Sequence, residues 1–123
     1  MNYLYLSAGG ILGTVSRYLF GGLVQRWLGL GFPFGTFLIN VSGCFVIGLA
    51  ATLAGDRLHS SAPLRNFFFI GYLGAYTTFS TYMFESFGLL QQGKVVLGLA
   101  NLLGSVLLGF LALGLGVGLA RWL

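Results

Sequence analysis

The chain has 123 residues, of which 57% are hydrophobic and only 7% charged, and its mean hydropathy is +0.92. A soluble domain carries about 25% charged residues, so this composition excludes a soluble enzyme. It also excludes a disordered chain, which needs low hydrophobicity and high net charge. A transmembrane helix takes ~20 residues, so the length allows about four crossings of a bilayer and leaves no room for a separate soluble domain. Net charge is +4 with a pI near 9.7. The cations Arg17, Arg26, Arg57, Arg65, Lys94 and Arg121 are scattered singly, with none of the basic patch that nucleic acid requires. The single Cys44 excludes an intrachain disulfide and a cysteine-based metal cluster. The N-terminus lacks a basic stretch and Arg17 interrupts the first apolar run, so no cleaved signal peptide is expected.

Punctuation divides the chain into four apolar segments, expected as helices over about 3–26, 33–54, 64–90 and 95–120. Gln25-Arg26-Trp27 ends the first with an interfacial group. Gly29 to Pro33 is a tight connection, and Pro33 stands where a helix can begin. The second segment ends near Ala54, and Gly55 to Pro63 is the one clearly polar loop. The third ends at Gln91-Gln92-Gly93-Lys94, and the fourth closes on Arg121-Trp122. Loops this short make successive helices antiparallel neighbours. The expected fold is one all-α transmembrane domain spanning 1–123, with four helices.

An even number of spans puts Arg57, Arg65 and Arg121 on one side and Arg26 and Lys94 on the other. Lysine and arginine near segment ends set orientation, and three against two is almost no bias. Either a partner or weak cues fix the orientation, or the chain inserts both ways and pairs with an inverted copy of itself. The missing bias favours the second, which generates a two-fold axis in the membrane plane.

Several polar residues at membrane depth need a reason. Arg17 is four residues from both Gly13 and Gly21, so it lies on the small-residue face that lets helices approach closely. Its spacing fits equally a side chain that snorkels or bonds backbone carbonyls and an anion-attracting charge in a polar vestibule. Thr36, Asn40, Cys44 and Gly48 make one narrow stripe on the second segment. The third segment places Gly71 and Gly74, then Thr77-Thr78-Phe79-Ser80-Thr81-Tyr82, in mid-span. Glycine and threonine pairs weaken a helix, so this segment is expected to be broken near its middle. Unwound backbone in hydrocarbon is tolerated only when buried in protein or lining a cavity. Beyond the break, Thr78, Thr81 and Glu85 share one face and Phe79, Tyr82 and Ser86 the next. On the fourth segment Asn101 and Ser105 are four apart and can line a path together. No nucleophile–base pair, phosphate loop or metal-ligand spacing occurs, so no enzymatic activity is expected.

With these motifs in place, the chain resembles the Fluc (CrcB) fluoride channels over essentially its full length. The resemblance rests on Gly10-x-x-Gly13-x-x-x-Arg17-Tyr18, on Gly35-Thr36-Phe37-Leu38-Ile39-Asn40-Val41-Ser42-Gly43, and most on Gly71-x-x-Gly74-x-x-Thr77-Thr78-Phe79-Ser80-Thr81. It implies a small four-span protein of the plasma (inner) membrane, assembled as an antiparallel, dual-topology homodimer that passively exports fluoride through two pores. By resemblance, Asn40 is a pore-facing amide, Phe79 and Tyr82 offer ring edges, and Ser80 and Thr81 form a polar track. Ser105 adds a hydroxyl from the fourth helix, with Asn101 beside it. Arg17 raises the local anion concentration, and Glu85 matches an acidic position further along. Gly74 and Thr77 offer backbone carbonyls to a structural sodium ion at the dimer axis.

Two positions depart from the family pattern: Tyr82 replaces the second phenylalanine of the aromatic pair, and Ala75 replaces a glycine at the break. Both are compatible with slower conduction, or with one half of a heterodimer with a paralogue. The competing functions are a proton-coupled exporter of the small multidrug resistance type and a non-transporting membrane assembly subunit. The exporter needs a carboxylate in its first helix, where this chain has Arg17 and no acid.

Overall fold

A computed structural model describes residues 2–123, and those residues contain helices and short connections but no strand. Helix α1 runs over Asn2–Leu28 and α2 over Phe34–Ala54. Two short helical pieces follow, α3 (Arg57–Ser60) and α4 (Ala62–Leu64). A π-helical stretch, Arg65–Leu73, leads into α5 (Gly74–Tyr76). After an interruption come α6 (Phe79–Gln91) and α7 (Val95–Trp122).

The connections are tied down by particular residues. Gln25 fastens the α1–α2 turn: its Nε2 donates to the Gly29 and Phe32 carbonyls, and its Oε1 accepts from the Gly35 amide at 2.9 Å. Gly29 sits there at φ +98°, a conformation that L side chains rarely adopt. The segment 55–63, expected as a polar loop, instead carries α3 and the start of α4. Ser61 caps α4 by accepting from the Leu64 amide, and Arg65 reaches back to the His59 carbonyl at 3.0 Å. Local capping thus makes helix where polarity alone suggested a loop.

Glycine decides which helices meet. A Cβ at Gly9 or Gly13 of α1 would overlap the Phe67 or Tyr72 carbonyl, so α1 lies backbone against backbone on the π-helical stretch. In the same way, Gly48 of α2 meets the Leu113 carbonyl and Gly116 of α7 meets the Phe45 carbonyl. Without a hydrophobic drive between helices in lipid, such close van der Waals contact is what holds them.

The surface is as apolar as the interior. Helices α2 and α7 are long and apolar enough to cross a membrane, and only 17% of each apolar window is buried. Leu103, Val106, Leu107, Phe110, Leu111 and Leu115 of α7 all face outward. A helix this apolar in a soluble core would be buried; here the greasy faces are on the outside, where lipid covers them. The molecule is an all-α membrane protein.

Candidate functional site

The site is organised by the interruption of the third segment. Thr77 (φ −87°, ψ 156°) and Thr78 (φ −146°, ψ 124°) are both extended between two helical pieces. Thr78 then starts α6 as its N-cap, with its hydroxyl accepting from the Thr81 amide and donating to the Thr81 hydroxyl at 3.2 Å. Threonine suits both jobs: branching at Cβ favours extended backbone, and its hydroxyl satisfies an orphan amide of the first turn.

Neighbouring helices supply the bonds that the break removes. Asn40 of α2 pairs with both sides of Thr78: its Oδ1 accepts from the Thr78 amide at 2.9 Å and its Nδ2 donates to the Thr78 carbonyl at 3.0 Å. Arg17 of α1 donates Nε to the Ala75 carbonyl at 3.0 Å. Ser42 of α2 and the Tyr76 hydroxyl are hydrogen-bonded at 2.9 Å. Thr77 turns inward, its amide and hydroxyl both donating to the Leu73 carbonyl.

Two cavities border this point and a third lies beyond them. A cleft of about 390 Å³, open on one side, is lined by Asn40, Cys44, Gly74, Thr78, Phe79, Tyr82 and Ser105. A second, of about 210 Å³, is lined by Arg17, Thr36, Gln25, Thr78 and Glu85. A third, of about 420 Å³, lies toward the loop end and is walled by Gln25, Glu85, Gln92 and Lys94. Thr78 belongs to the first two and Glu85 to the last two. The three therefore lie next to one another and share polar walls.

Within the cleft the rings of Phe79 and Tyr82 meet edge to face, with centroids 5.8 Å apart at 68°. Phe79 is 72% exposed, whereas Tyr82 is 6% exposed. The Tyr82 hydroxyl, the group that departs from the family pattern, donates to the Leu102 carbonyl of α7. The ring is thereby fastened to α7 with its polar tip satisfied.

The remaining residues singled out from sequence fall in different surroundings. Asn101 is 1% exposed and lies outside the cleft, donating Nδ2 to Ser86 Oγ at 2.8 Å and accepting from the Ser105 hydroxyl at 3.3 Å. Ser86 Oγ in turn donates to the Tyr82 carbonyl at 2.7 Å. Asn101 thus joins α6 to α7, and of this buried chain Ser105 and Tyr82 border the cleft while Asn101 and Ser86 do not. Ser80 is exposed on the outer face of α6 with Phe84 and Phe87. Thr81 is half-buried beside Thr78. Arg17 and Glu85 wall the same chamber, and Glu85 Oε1 is, among the described residues, the one buried side-chain polar atom with no hydrogen-bond partner.

Six wall residues were not singled out as site residues from the sequence: Thr78, Thr36, Cys44, Gln25, Gln92 and Lys94. Thr78 had a readable signal, since a threonine directly before an apolar helical run is an N-cap candidate. Thr36 lay on the Asn40 stripe. Gln25 and Lys94 read as interfacial end residues, and only folding turns them toward a shared chamber.

Comparison with known proteins identifies the family of the chain. Residues 4–117 match the family described as CrcB-like protein, Camphor Resistance (CrcB). Among curated relatives, a protein of Solibacter usitatus named fluoride-specific ion channel FluC is 46% identical, over 98% of this chain and 99% of its own length. A protein of the same name from Maridesulfovibrio salexigens is 42% identical over 97% of this chain and 94% of its own. One from a Synechococcus strain is 45% identical over 94% and 89%. With a match that covers the break, both flanking helices and nearly all of α7, the chain belongs to the CrcB family.

Proposed function

We propose that this protein is a fluoride-selective ion channel, not an enzyme, giving passive export of cytoplasmic fluoride across the cell membrane. The observation that carries the proposal is the group of neighbouring polar-walled cavities around the break, from the Phe79 cleft to the chamber bordered by Lys94, which share Thr78 and Glu85 as walls. The names of the curated relatives supply the ion.

Fluoride is small and strongly hydrated, so a path must replace water with donors. Asn40 keeps one Nδ2 proton beyond its bond to Thr78. The hydroxyls of Thr81 and Ser80, and the positive ring edges of Phe79 and Tyr82, are further donors, while the Ser105 hydroxyl borders the cleft with its proton on Asn101. Several weak sites in sequence let an ion both enter and leave.

The functional unit in this proposal is a homodimer of inverted copies in the lipid bilayer, with two pores and each copy crossing the membrane four times. Three features support it. The Phe79 cleft is open on one side, Phe79 itself is 72% exposed, and Phe84 and Phe87 extend the same bare face. A second copy closes that side.

The break also suits a sodium ion. In an unbroken helix the Thr78 and Thr81 amides would bond the Gly74 and Thr77 carbonyls. Here the Thr78 amide goes to Asn40 and the Thr81 amide to the Thr78 hydroxyl. The two released carbonyls are hard oxygen donors, and nothing lies within 4 Å of the position where Gly74 would carry a Cβ. Gly74 and Thr77 would hold the ion, and two copies about an axis would double the donors. Bound there, the cation would neutralise the partial negative charge of the released carbonyls.

The test is reconstitution into liposomes, with fluoride and chloride efflux followed by ion-selective electrode. Fluoride efflux without chloride efflux is expected. Proton-coupled drug uptake, or silence toward both anions, overturns the proposal.

A further inference from the structure

An interrupted helix inside a membrane has a problem at its upstream end. Its last carbonyls lose their downstream amides, and hydrocarbon offers no water in exchange. In this chain the Ala75 carbonyl would ordinarily bond the Phe79 amide, and re-forming that bond would re-wind the turn. What occupies it is Arg17 Nε, at 3.0 Å and 58 residues away in sequence.

The placement of Arg17 is built into α1. Gly9, Gly13 and Arg17 follow each other at steps of four, on one face. Gly9 meets the Phe67 carbonyl, and Gly13 meets the Tyr72 carbonyl with the Ala75 Cβ next to it. The two glycines bring α1 down onto the third segment, and Arg17 follows one turn later at the point where that segment ends. Between them the Tyr72 hydroxyl donates to Ser16 Oγ at 3.0 Å, fixing the same register. On the far side of the break Asn40 holds Thr78 by its amide and carbonyl.

We propose that Arg17 is a positioning residue that keeps the break open. Its Nε stands in for the Phe79 amide on the Ala75 carbonyl, and it acts through that bond rather than by drawing anions with its charge. The inference rests on the channel reading only for what the break serves, since the bond itself is independent of the ion carried. Glutamine is the informative replacement. Its Nε2 lies the same number of bonds from the backbone as arginine Nε, so Arg17→Gln keeps a donor at that place and removes the charge. Arg17→Lys does the reverse, keeping the charge and putting a methylene where Nε was. Arg17→Met removes both.

Two readouts are taken on the full chain reconstituted in lipid nanodiscs and liposomes: amide exchange at Phe79, and fluoride efflux. If Arg17 acts by its bond, Arg17→Gln leaves the Phe79 amide exchanging as in the wild type and recovers most of the efflux. Arg17→Lys and Arg17→Met then free the Ala75 carbonyl for the Phe79 amide and slow its exchange by ~10-fold or more, as expected for a re-formed helical bond. If Arg17 acts by its charge, the order of Gln and Lys reverses in efflux, and exchange is unchanged in all three. Either that reversal or equal behaviour of the three variants overturns the inference. Should Arg17→Met fail to fold, the ranking of Gln against Lys still decides. Exchange is informative even if wild-type protein moves no fluoride, so failure of the channel reading and failure of this inference are distinguishable.

Discussion

Replacing Asn40 by alanine tests how the break and the cleft depend on each other. The substitution removes an acceptor 2.9 Å from the Thr78 amide and a donor 3.0 Å from the Thr78 carbonyl. Leaving a buried polar group unpaired costs ~1–3 kcal/mol, and two are orphaned at once. Because Thr78 is only half-buried, the lower part of the range applies, and the total is ~2–3 kcal/mol. That corresponds to a ~30–150-fold shift away from the native turn, at 1.36 kcal/mol per factor of ten. The expected readouts are exchange of the Thr78 amide faster by that factor and fluoride efflux reduced by more than tenfold. Asn40→Asp gives the control: its carboxylate still accepts from the Thr78 amide but cannot donate to the carbonyl. It should keep the amide protection while losing efflux, since a fixed negative charge would face the anion path. Unchanged Thr78 exchange in Asn40→Ala would refute the reasoning, because the amide would then have found another partner.

Three further outcomes follow from the geometry. Phe79→Ile removes the ring edge but keeps an apolar side chain at an exposed position, so efflux should vanish while dimer elutes normally in size-exclusion chromatography; normal efflux would make the ring mere packing. Gly48→Val places a branched side chain against the Leu113 backbone, and overpacking should cost ~1–3 kcal/mol, read as a lower unfolding temperature in detergent; an unchanged temperature would mean α2 and α7 are not held by that approach. Exchanging sodium for choline during purification should lower the unfolding temperature of wild-type protein, and an identical temperature in both salts would remove Gly74 and Thr77 as a cation site.

Much of the architecture is legible without coordinates. Eight charged side chains in 123 residues leave no way to solvate a globule, so a membrane protein follows from composition, and apolar runs of ~20 residues make its spans helical. The glycine and threonine run at 71–82 marks where a helix is weakest, and the structure interrupts it at Thr77–Thr78. Both are local properties, set by side-chain entropy and backbone preference over a few residues. The π-helical geometry of Arg65–Leu73 and the helical turns inside 55–63 were not legible, because they depend on packing against α1 and on capping contacts.

What tertiary structure alone decided is the work of the polar residues. Arg17 fitted a carbonyl partner and a vestibule charge equally well by spacing, and folding presents it with the Ala75 carbonyl. Asn40 was expected by resemblance alone to face a path; folding sets it at the cleft, where it holds Thr78 from 38 residues away. Asn101 and Ser105 look equivalent at a four-residue step, yet one is sealed between α6 and α7 and the other borders the cleft. In hydrocarbon every polar group must find a partner inside the protein. The sequence therefore dictates that these residues have partners, and only the glycine-set approach of α1 and α2 to the break determines which ones.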